Sequence, residues 1–333
     1  MEKIDNNNIA QEEVIDDVKV YDRAMAPKAI LQSALTNAGL DIPFMIQEAF
    51  LGYKYRKSNH KLYKDDDELP SKLIRLYYTL SPDEVRFDNM KKNFIQKYIK
   101  QESELESVHC QAEIKGLGEM YVYMHNNDMD ELFEEARRTN WFCKNYTDYT
   151  LKNLHSKLYT FAPFPDYAGV YRKEDVYLPG TGTELAEWSV IKYRIDDINE
   201  DVMRLKEVAK KIKTTDDMLD YLDMCVEVKC KLIKVHPFND GNGRTIRCFI
   251  NELLEEGNFP PIYIRANERT AYHNAMNLAN NENDYSAIKG FYRYKICDSI
   301  IELDINDRVK KEDHEVKAKE LTLSLEKNKD KPE

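Results

Sequence analysis

The segment "HPFNDGNGRTIR", residues 236–247, places a histidine, an aspartate, two glycines around an asparagine and two arginines within twelve residues. An apolar stripe at helical spacing follows, formed by Ile246, Phe249, Ile250, Leu253 and Leu254. Gly257 then predicts the C-terminal end of that helix. The glycine-rich part of the segment is therefore predicted to lie at a helix N-terminus.

A helix N-terminus of this kind is predicted to bind anions. The first backbone N–H groups of a helix are unpaired, and the helix dipole adds positive potential there. Gly241 and Gly243 permit positive φ angles and remove side chains that would block a ligand. Arg244 and Arg247 are three residues apart, so they are neighbours on the helix surface and lie off the apolar stripe. Together these features predict a phosphate-binding site.

Two further side chains of the segment predict chemistry at that site. His236 can act as a general base near neutral pH. Asp240 predicts a Mg2+ ligand, because Mg2+ takes one or two carboxylates and completes its shell with phosphate oxygens. A hydroxyl deprotonated by His236 would attack a bound phosphorus, which is nucleotidyl or phosphoryl transfer. Taken singly, each residue is better explained by an ordinary helix-start turn, but the ordered combination favours a site.

Elsewhere the sequence predicts helices and one strand region. A helix start is indicated at Ser81, and further helices are predicted over 147–161 and 215–235. The clear strand signal is "AGVYRKEDVYLPGTGTE", residues 168–184, where strand-forming residues are broken by turn residues. We interpret this stretch as an isolated hairpin in an otherwise helical protein.

The segment 236–247 resembles the Fic family motif HxFx(D/E)GNGRxxR at every fixed position. Residues from about 150 to 295 are similar to the Fic core as well, including "LKNLHSKLYTFAPFPDYAGVYR", "VYLPGTG" and "NERTAYHNAMNLANN". The resemblance implies a mainly α protein: a Fic-type helical core with a small β-hairpin flap, plus an N-terminal helical extension. Together with the polar, acidic start and the charged end of the sequence, this predicts a mobile N-terminus at 1–25, an N-terminal helical region at 26–148, the Fic domain at 149–303 and a charged tail at 304–333.

The resemblance also implies an activity, namely transfer of AMP from ATP to a Ser, Thr or Tyr hydroxyl of a target protein, with Mg2+ as cofactor. By the motif match, His236 would be the base and Asp240 the Mg2+ ligand. Phosphates would be bound by Gly241, Asn242, Gly243, Arg244 and Arg247. The flap, with Val176, Tyr177, Leu178 and Gly180, would bind the target segment by strand addition.

Many Fic proteins carry an inhibitory helix with the pattern (S/T)xxxE(G/N), whose glutamate pairs with the second motif arginine and blocks the γ-phosphate site. "QESELES", residues 101–107, matches this pattern in part. Glu106 stands at the glutamate, Glu102 at the Ser/Thr position and Ser107 at the Gly/Asn position. The inhibitory helix is predicted over about 96–110. The alternative is a solvated acidic face, because Glu102, Glu104, Glu106 and Glu113 lie close together in sequence.

Three alternatives to AMP transfer stay open on the sequence. The motif binds phosphates and not the base, so another nucleotide or a phosphate-linked group such as phosphocholine fits the same site. Removal of AMP from a target, with Glu106 positioning water, would use the same residues. An alternative of a different class is a non-catalytic nucleotide-binding or scaffold protein, and the intact motif argues against it.

The composition of the chain limits the kinds of partner and the cellular location that we expect. The net charge of −11 disfavours non-specific nucleic-acid binding, which depends on a basic surface. Six cysteines are scattered without a CxxC pair, which indicates free thiols in a reducing compartment. No apolar run reaches the length of about 18 residues that a membrane helix needs, and no secretory signal is visible. We therefore expect a cytoplasmic protein, although a secreted bacterial effector would look the same, and a homodimer is typical of the resemblance.

Overall fold

The computed structural model describes residues 42–58, 68–80, 91–126, 145–162, 166–178 and 181–305, with single residues at 38, 132, 134 and 138. The predicted helix start at Ser81, the mobile N-terminus at 1–25, Gly180 of the flap and nearly all of the tail lie outside the described residues.

Within these ranges the fold is helical, and ten α-helices are described. The helices before the motif are α1 (Ile42–Ser58), α2 (Leu69–Leu80), α3 (Lys91–Glu106), α4 (Gln111–Asn126), α5 (Tyr146–Leu158), α6 (Ile191–Ala209) and α7 (Thr215–Val235). The helices that follow are α8 (Asn242–Glu256), α9 (Arg269–Asn277) and α10 (Ser286–Ile300). Short 3-10 turns span Trp188–Val190 and Ala266–Glu268, and π-type turns span Leu278–Glu282 and Ile301–Ile305.

The predicted helices begin where local capping signals place them. Thr214 Oγ1 accepts a hydrogen bond from the Asp217 N–H at 3.0 Å, and the Asp217 carboxylate accepts one from the Thr214 N–H at 2.9 Å. This capping box starts α7 at Thr215, as predicted for 215–235. The side chain of Asn145 accepts from the Asp148 N–H at 2.8 Å and starts α5, which confirms the helix predicted over 147–161.

Helix α8 lies in the centre of the helical core. Helix α6 packs against α5 and α7, all three pack against α8, α4 covers α5 and α8, and α2 packs with α7 and α10. Most of α8 is buried, including both arginines of the motif. Gly257 ends α8, as predicted, with an ordinary φ of −85°. Packing requires a glycine at position 257, because a Cβ there would lie 2.2 Å from the Tyr221 ring.

The predicted β-hairpin is wrong in the described part of 168–184. Residues 168–178 and 181–184 run as a loop without strand pairing. The backbone on both sides of this flap loop bonds to the end of α7 and to the residue after His236, without a strand ladder between the two sides. Arg172 N–H donates to the Pro237 carbonyl at 2.9 Å, and Ala186 N–H donates to the Lys234 carbonyl at 3.0 Å.

The buried guanidinium of Arg172 holds the flap loop in this position. It donates to the His236 carbonyl at 2.8 Å and to the Glu174 carbonyl at 2.7 Å, and it also contacts the Ala186 carbonyl. One buried side chain thus satisfies backbone acceptors on both sides of the flap loop and at the end of α7.

Candidate active site

The loop between α7 and α8 is held rigidly by its own side chains. His236 ends α7 with φ 46°, in the left-handed region, while its N–H donates to the Leu232 carbonyl at 3.0 Å. Phe238 is fully buried and stacks on the His155 ring at 3.8 Å between centroids. Asn242 Oδ1 accepts from the Phe238 N–H at 2.9 Å, and its Nδ2 donates to the Phe238 carbonyl at 2.8 Å. The side chain of Asn242 therefore braces the loop, so any contact it makes with a phosphate comes from its backbone N–H.

The two glycines of the motif serve different purposes. Gly241 adopts φ 73°, which favours glycine, and forms the N-cap of α8. Gly243 lies inside the first turn, where a Cβ would come within 2.7 Å of Glu106 Oε1 and 2.8 Å of Arg247 Nη1. The absence of a side chain at Gly243 thus lets an anionic group approach the helix N-terminus, and the Glu106 carboxylate lies there.

Arg247 is bound by two carboxylates from α3. Its Nε donates to both carboxylate oxygens of Glu102 at 2.9 Å, and its Nη2 donates to Glu102 Oε2 at 2.6 Å. The same Nη2 donates to Glu106 Oε1 at 2.5 Å. The Glu102 side chain is 0% exposed and that of Glu106 is 35% exposed. A solvated acidic face is therefore a wrong interpretation for Glu102, and Glu106 is at most partly solvated.

Arg244 is buried and belongs to a second cluster of polar side chains. Its Nη1 donates to Glu113 Oε2 at 2.5 Å, and its Nη2 contacts the Tyr159 hydroxyl at 3.2 Å and Asp240 Oδ2 at 3.3 Å. Tyr159 in turn donates to Asp240 Oδ2 at 2.9 Å. Both motif arginines are thus oriented by carboxylates from α3 and α4, before any ligand is considered.

Asp240 is suited to hold Mg2+ at the edge of the anion site. Its side chain is 77% exposed, although one oxygen is bonded to Tyr159 and Arg244. Burial acts to raise its pKa, but Arg244 and the Gly241 N–H outweigh burial and lower the pKa. Among the residues that the structure describes, no group of three or more His, Cys, Asp or Glu is arranged around a metal. The donor set therefore fits a cation that takes one carboxylate and completes its shell from a phosphate ligand.

Two histidines near the loop are kept neutral. Burial, assisted by the charge of Arg172, lowers the pKa of His236 to about 4. Burial likewise lowers the pKa of His155 to about 4. His155 Nδ1 accepts from the Gly169 N–H at 3.0 Å, so its Nε2 carries the proton and donates to the Asp240 carbonyl at 3.0 Å. A neutral His236 at physiological pH is the form that accepts a proton.

A cavity of about 250 Å³ opens over the start of α8. The motif loop and both arginines form one wall, and Glu106, Leu178 and Thr183 reach it from α3 and the flap loop. The opposite wall consists of residues that sequence reasoning did not select, namely Tyr272, His273, Met276, Asn277 and Asn280. These residues belong to the stretch "NERTAYHNAMNLANN", for which the sequence predicts only part of the helical core. Its polar residues at helical spacing are the signal that could have indicated a role in the cavity.

A second cavity of about 800 Å³ lies beyond the flap loop, between α6 and α7. It shares Asn280 with the first cavity, and no residue of the motif at 236–247 lines it. Its cations and carboxylates are mixed, and Lys231 pairs with Asp201 at 2.6 Å. The reacting groups of the motif face the smaller cavity.

The end of α3 is fastened to α9 by Arg269, another residue that the sequence did not indicate. Its Nη2 donates to the Glu104 carbonyl at 2.9 Å and to Ser107 Oγ at 3.0 Å, and it also contacts the Leu105 carbonyl. Ser107 has φ 56°, in the left-handed region. This geometry accounts for the Gly/Asn preference at that position of the inhibitory pattern, because those residues adopt positive φ most readily.

Comparison with known proteins agrees with this geometry. Residues 145–254 match the sequence profile of the Fic/DOC family. The chain carries a Fic/DOC family domain. The match begins with the N-cap of α5 and ends within α8, so it contains the flap loop, the motif and the helices that position them.

Curated relatives of the Fic domain are named protein adenylyltransferase Fic. Over 64 residues the chain is 42% identical to that protein of Nematostella vectensis and, over the same length, 44% identical to that of Drosophila melanogaster. The aligned stretch covers 19% of this chain and 14% and 12% of these two relatives.

Solved structures show the same fold around the Fic domain. A Fic-domain-containing signalling protein from Bacteroides thetaiotaomicron superposes with a TM-score of 0.53 at 15% identity, covering 70% of this chain and 96% of that one. A Fic-1 fragment from C. elegans superposes with a TM-score of 0.52 at 16% identity, covering 85% of this chain and 93% of that one. The helical arrangement is therefore Fic-like.

In the part of the chain that the structure describes, no helix is both long and apolar enough to cross a membrane.

Proposed function

We propose that this protein is a nucleotidyltransferase that moves AMP from ATP to a Ser, Thr or Tyr hydroxyl of a target protein. The observation that carries the proposal is the Glu106 carboxylate, which lies over Gly243 and against Arg247. An anionic group at this point supports the proposal that the start of α8 binds negative charge, as expected from free N–H groups and a helix dipole. Neutral His236 lines the same cavity and supplies the base.

The proposed reaction assigns each residue a task. The hydroxyl oxygen attacks the α-phosphorus and its proton passes to His236. The bond from the α-phosphorus to the bridging oxygen breaks, and diphosphate leaves. The N–H groups at Gly243 and its neighbours hold the phosphate oxygens, assisted by Arg244 and Arg247. Asp240 would hold Mg2+, which supplies charge neutralisation for the phosphates.

The target is proposed to bind along the flap loop. Tyr177 is 82% exposed, and Leu178 lines the cavity beside the motif. An extended target segment beside residues 175–178 would bring its hydroxyl towards His236, and strand addition of this kind depends little on the target's sequence. The domain bounds of 149–303 and a homodimer remain predictions of the resemblance.

Self-inhibition is proposed as part of this function. While Glu106 occupies the anion position, a phosphate cannot use the same donors on Arg247. The chain is therefore proposed to rest in an inhibited form. The second candidate function is the removal of AMP from a target by water placed near Glu106, because Glu106 and His236 line one cavity.

Intact mass spectrometry tests the proposal. The Glu106→Gly chain is incubated with Mg2+ and, separately, ATP, GTP, UTP or CDP-choline. We expect a mass increase of one AMP with ATP, and none in Glu106→Gly combined with His236→Ala. His109→Ala, which removes an exposed histidine outside the cavity, is the matched control and keeps labelling. Labelling by another donor would replace ATP as the proposed substrate. Release of AMP from a modified chain would favour AMP removal as the function, and no change in mass with any donor would support a non-catalytic scaffold.

A further inference from the structure

We propose that Tyr159 positions the Asp240 carboxylate for Mg2+, so that the protein holds one carboxylate oxygen and the other is left for the cation. Asp240 lines the cavity over the start of α8, whereas Tyr159 does not. Tyr159 is therefore a positioning residue, because it acts through Asp240. The inference rests on the proposed function and concerns how the cation of that site is bound.

The hydroxyl of Tyr159 joins Arg244 to Asp240. Arg244 Nη2 lies 3.2 Å from the Tyr159 hydroxyl oxygen, which lies 2.9 Å from Asp240 Oδ2. A guanidinium can only donate hydrogen bonds, and an ionised carboxylate can only accept them. The hydroxyl must therefore accept from Arg244 and donate to Asp240, and such chains strengthen each of their hydrogen bonds.

Both side-chain donors to Asp240 use the same carboxylate oxygen. The Tyr159 hydroxyl and Arg244 Nη2 reach Oδ2, at 2.9 Å and 3.3 Å, and neither of them occupies Oδ1. The Asp240 side chain is nevertheless 77% exposed, so the carboxylate is open to a cation from solvent. A carboxylate that offers one oxygen suits the near-octahedral shell of Mg2+, which phosphate oxygens and water complete.

The last turn of α5 holds Asp240 at two points. His155 and Tyr159 are four residues apart, at the end of α5 and at its C-cap, so their side chains are neighbours. His155 Nε2 donates to the Asp240 carbonyl at 3.0 Å, while Tyr159 donates to the carboxylate. The Tyr159 hydroxyl also lies 3.0 Å from the point where a Cβ on Gly241 would be. One helix end thus fixes both the backbone and the side chain of Asp240, which an exposed carboxylate does not need for its own solvation.

Binding of Mn2+, which replaces Mg2+ and is detected by electron paramagnetic resonance, tests the inference. The Glu106→Gly chain, in excess over an ATP analogue with a methylene bridge between the α- and β-phosphorus, is titrated with Mn2+. We expect Tyr159→Phe to weaken Mn2+ binding roughly tenfold, because loss of a residue that orients a metal ligand typically costs about 10- to 100-fold in affinity. Adding Tyr159→Phe to Asp240→Asn should cost less than about twofold more, because both changes act through one carboxylate.

Tyr78→Phe is the matched control. The Tyr78 hydroxyl also belongs to a buried side chain, and it donates to the Asn258 carbonyl at 2.7 Å, beyond the C-terminal end of α8. Its loss should change Mn2+ affinity by less than about twofold, even where the melting temperature falls as much as in Tyr159→Phe. Tyr159→Met, which also lacks a hydroxyl and whose flexible side chain can repack, repeats the comparison if Tyr159→Phe is unstable.

Three outcomes would overturn the inference. Unchanged Mn2+ affinity in Tyr159→Phe, while Asp240→Asn binds Mn2+ more weakly, removes the role of Tyr159 and leaves the proposed function intact. An equal loss of affinity from Tyr159→Phe with and without Asp240→Asn would mean that Tyr159 acts elsewhere. Unchanged Mn2+ affinity in Asp240→Asn removes the metal role of Asp240 from the proposed function, and the inference with it.

Discussion

Glu106 Oε1 accepts a hydrogen bond from Arg247 Nη2 at 2.5 Å, and this single contact places a carboxylate over the N-terminus of α8. The two residues are 141 positions apart in sequence. Burial acts to lower the pKa of Arg247, but Glu102 and Glu106 raise it far above its usual value, so the guanidinium stays charged. The carboxylate and a phosphate would therefore compete for a permanent cation.

Replacing Glu106 should release the site. We expect Glu106→Gly to raise the rate of AMP incorporation into the chain at least roughly tenfold, because the competing anion is worth a few kcal/mol at a partly buried cation. The measurement is a time course with labelled ATP. Glu104→Gly changes the same helix at an exposed position and should leave the rate near that of the wild type. Equal rates for Glu106→Gly and wild type, with labelling still dependent on His236, would remove the inhibitory role.

Substitutions of Ser107 should change the inhibition in both directions. Its φ of 56° costs a non-glycine residue about 1 kcal/mol, so Ser107→Gly relaxes the backbone at the end of α3, although it loses the contact with Arg269. We expect Ser107→Gly to keep the rate of AMP incorporation at or below the wild-type rate. Ser107→Val, with a branched Cβ in the left-handed region, should lower the melting temperature and raise that rate. A faster Ser107→Gly chain would contradict the link between this turn and Glu106.

Loss of the Arg269 contacts should free the end of α3. Arg269→Gln removes a guanidinium that contacts two carbonyls and the Ser107 hydroxyl, so Glu106 should leave Arg247 more often. We expect a higher rate than wild type, and no further increase when Arg269→Gln is added to Glu106→Gly, because both act through one contact. Initial rates of the four chains form the test. An increase of similar size in both backgrounds would show that Arg269 acts elsewhere.

Stability should fall as the pH drops from about 6.5 to about 4. His155 and His236 have folded-state pKa values of about 4, below the value of about 6.5 expected in the unfolded chain. The unfolded state binds more protons in this window, so the free energy of unfolding decreases with falling pH, by up to about 3 kcal/mol for each histidine. Urea unfolding at several pH values measures this dependence.

The variant His155→Gln separates the two contributions. It keeps a side-chain amide near the Asp240 carbonyl but cannot titrate, so the change between pH 6.5 and 4 should shrink by roughly half. A variant with the full wild-type pH dependence would show that His155 is not buried in its neutral form.

The sequence alone was sufficient to predict those structural features that depend on residues close together in the chain. The start of α7 and the apolar stripe of α8 depend on neighbours a few residues apart, so the sequence predicts both directly. The glycine at 241 was expected to permit positive φ, and its φ is 73°. The hairpin failed because strand propensity over 168–184 competes with Arg172, whose carbonyl partners lie as far away as His236.

What only the tertiary structure decided is which carboxylates other than Glu106 face the two arginines. Glu102, Glu104 and Glu113 look alike in sequence, yet Glu102 is buried on Arg247, Glu113 holds Arg244 and Glu104 faces solvent, while Glu106 lies on Arg247 as the inhibitory pattern implied. Each pairing with an arginine joins residues more than 130 positions apart. Helical spacing determines which of these carboxylates share a face of α3 or α4. Which face meets the motif is determined only by the packing of α3 and α4 against α8, because that packing depends on apolar contacts throughout the core.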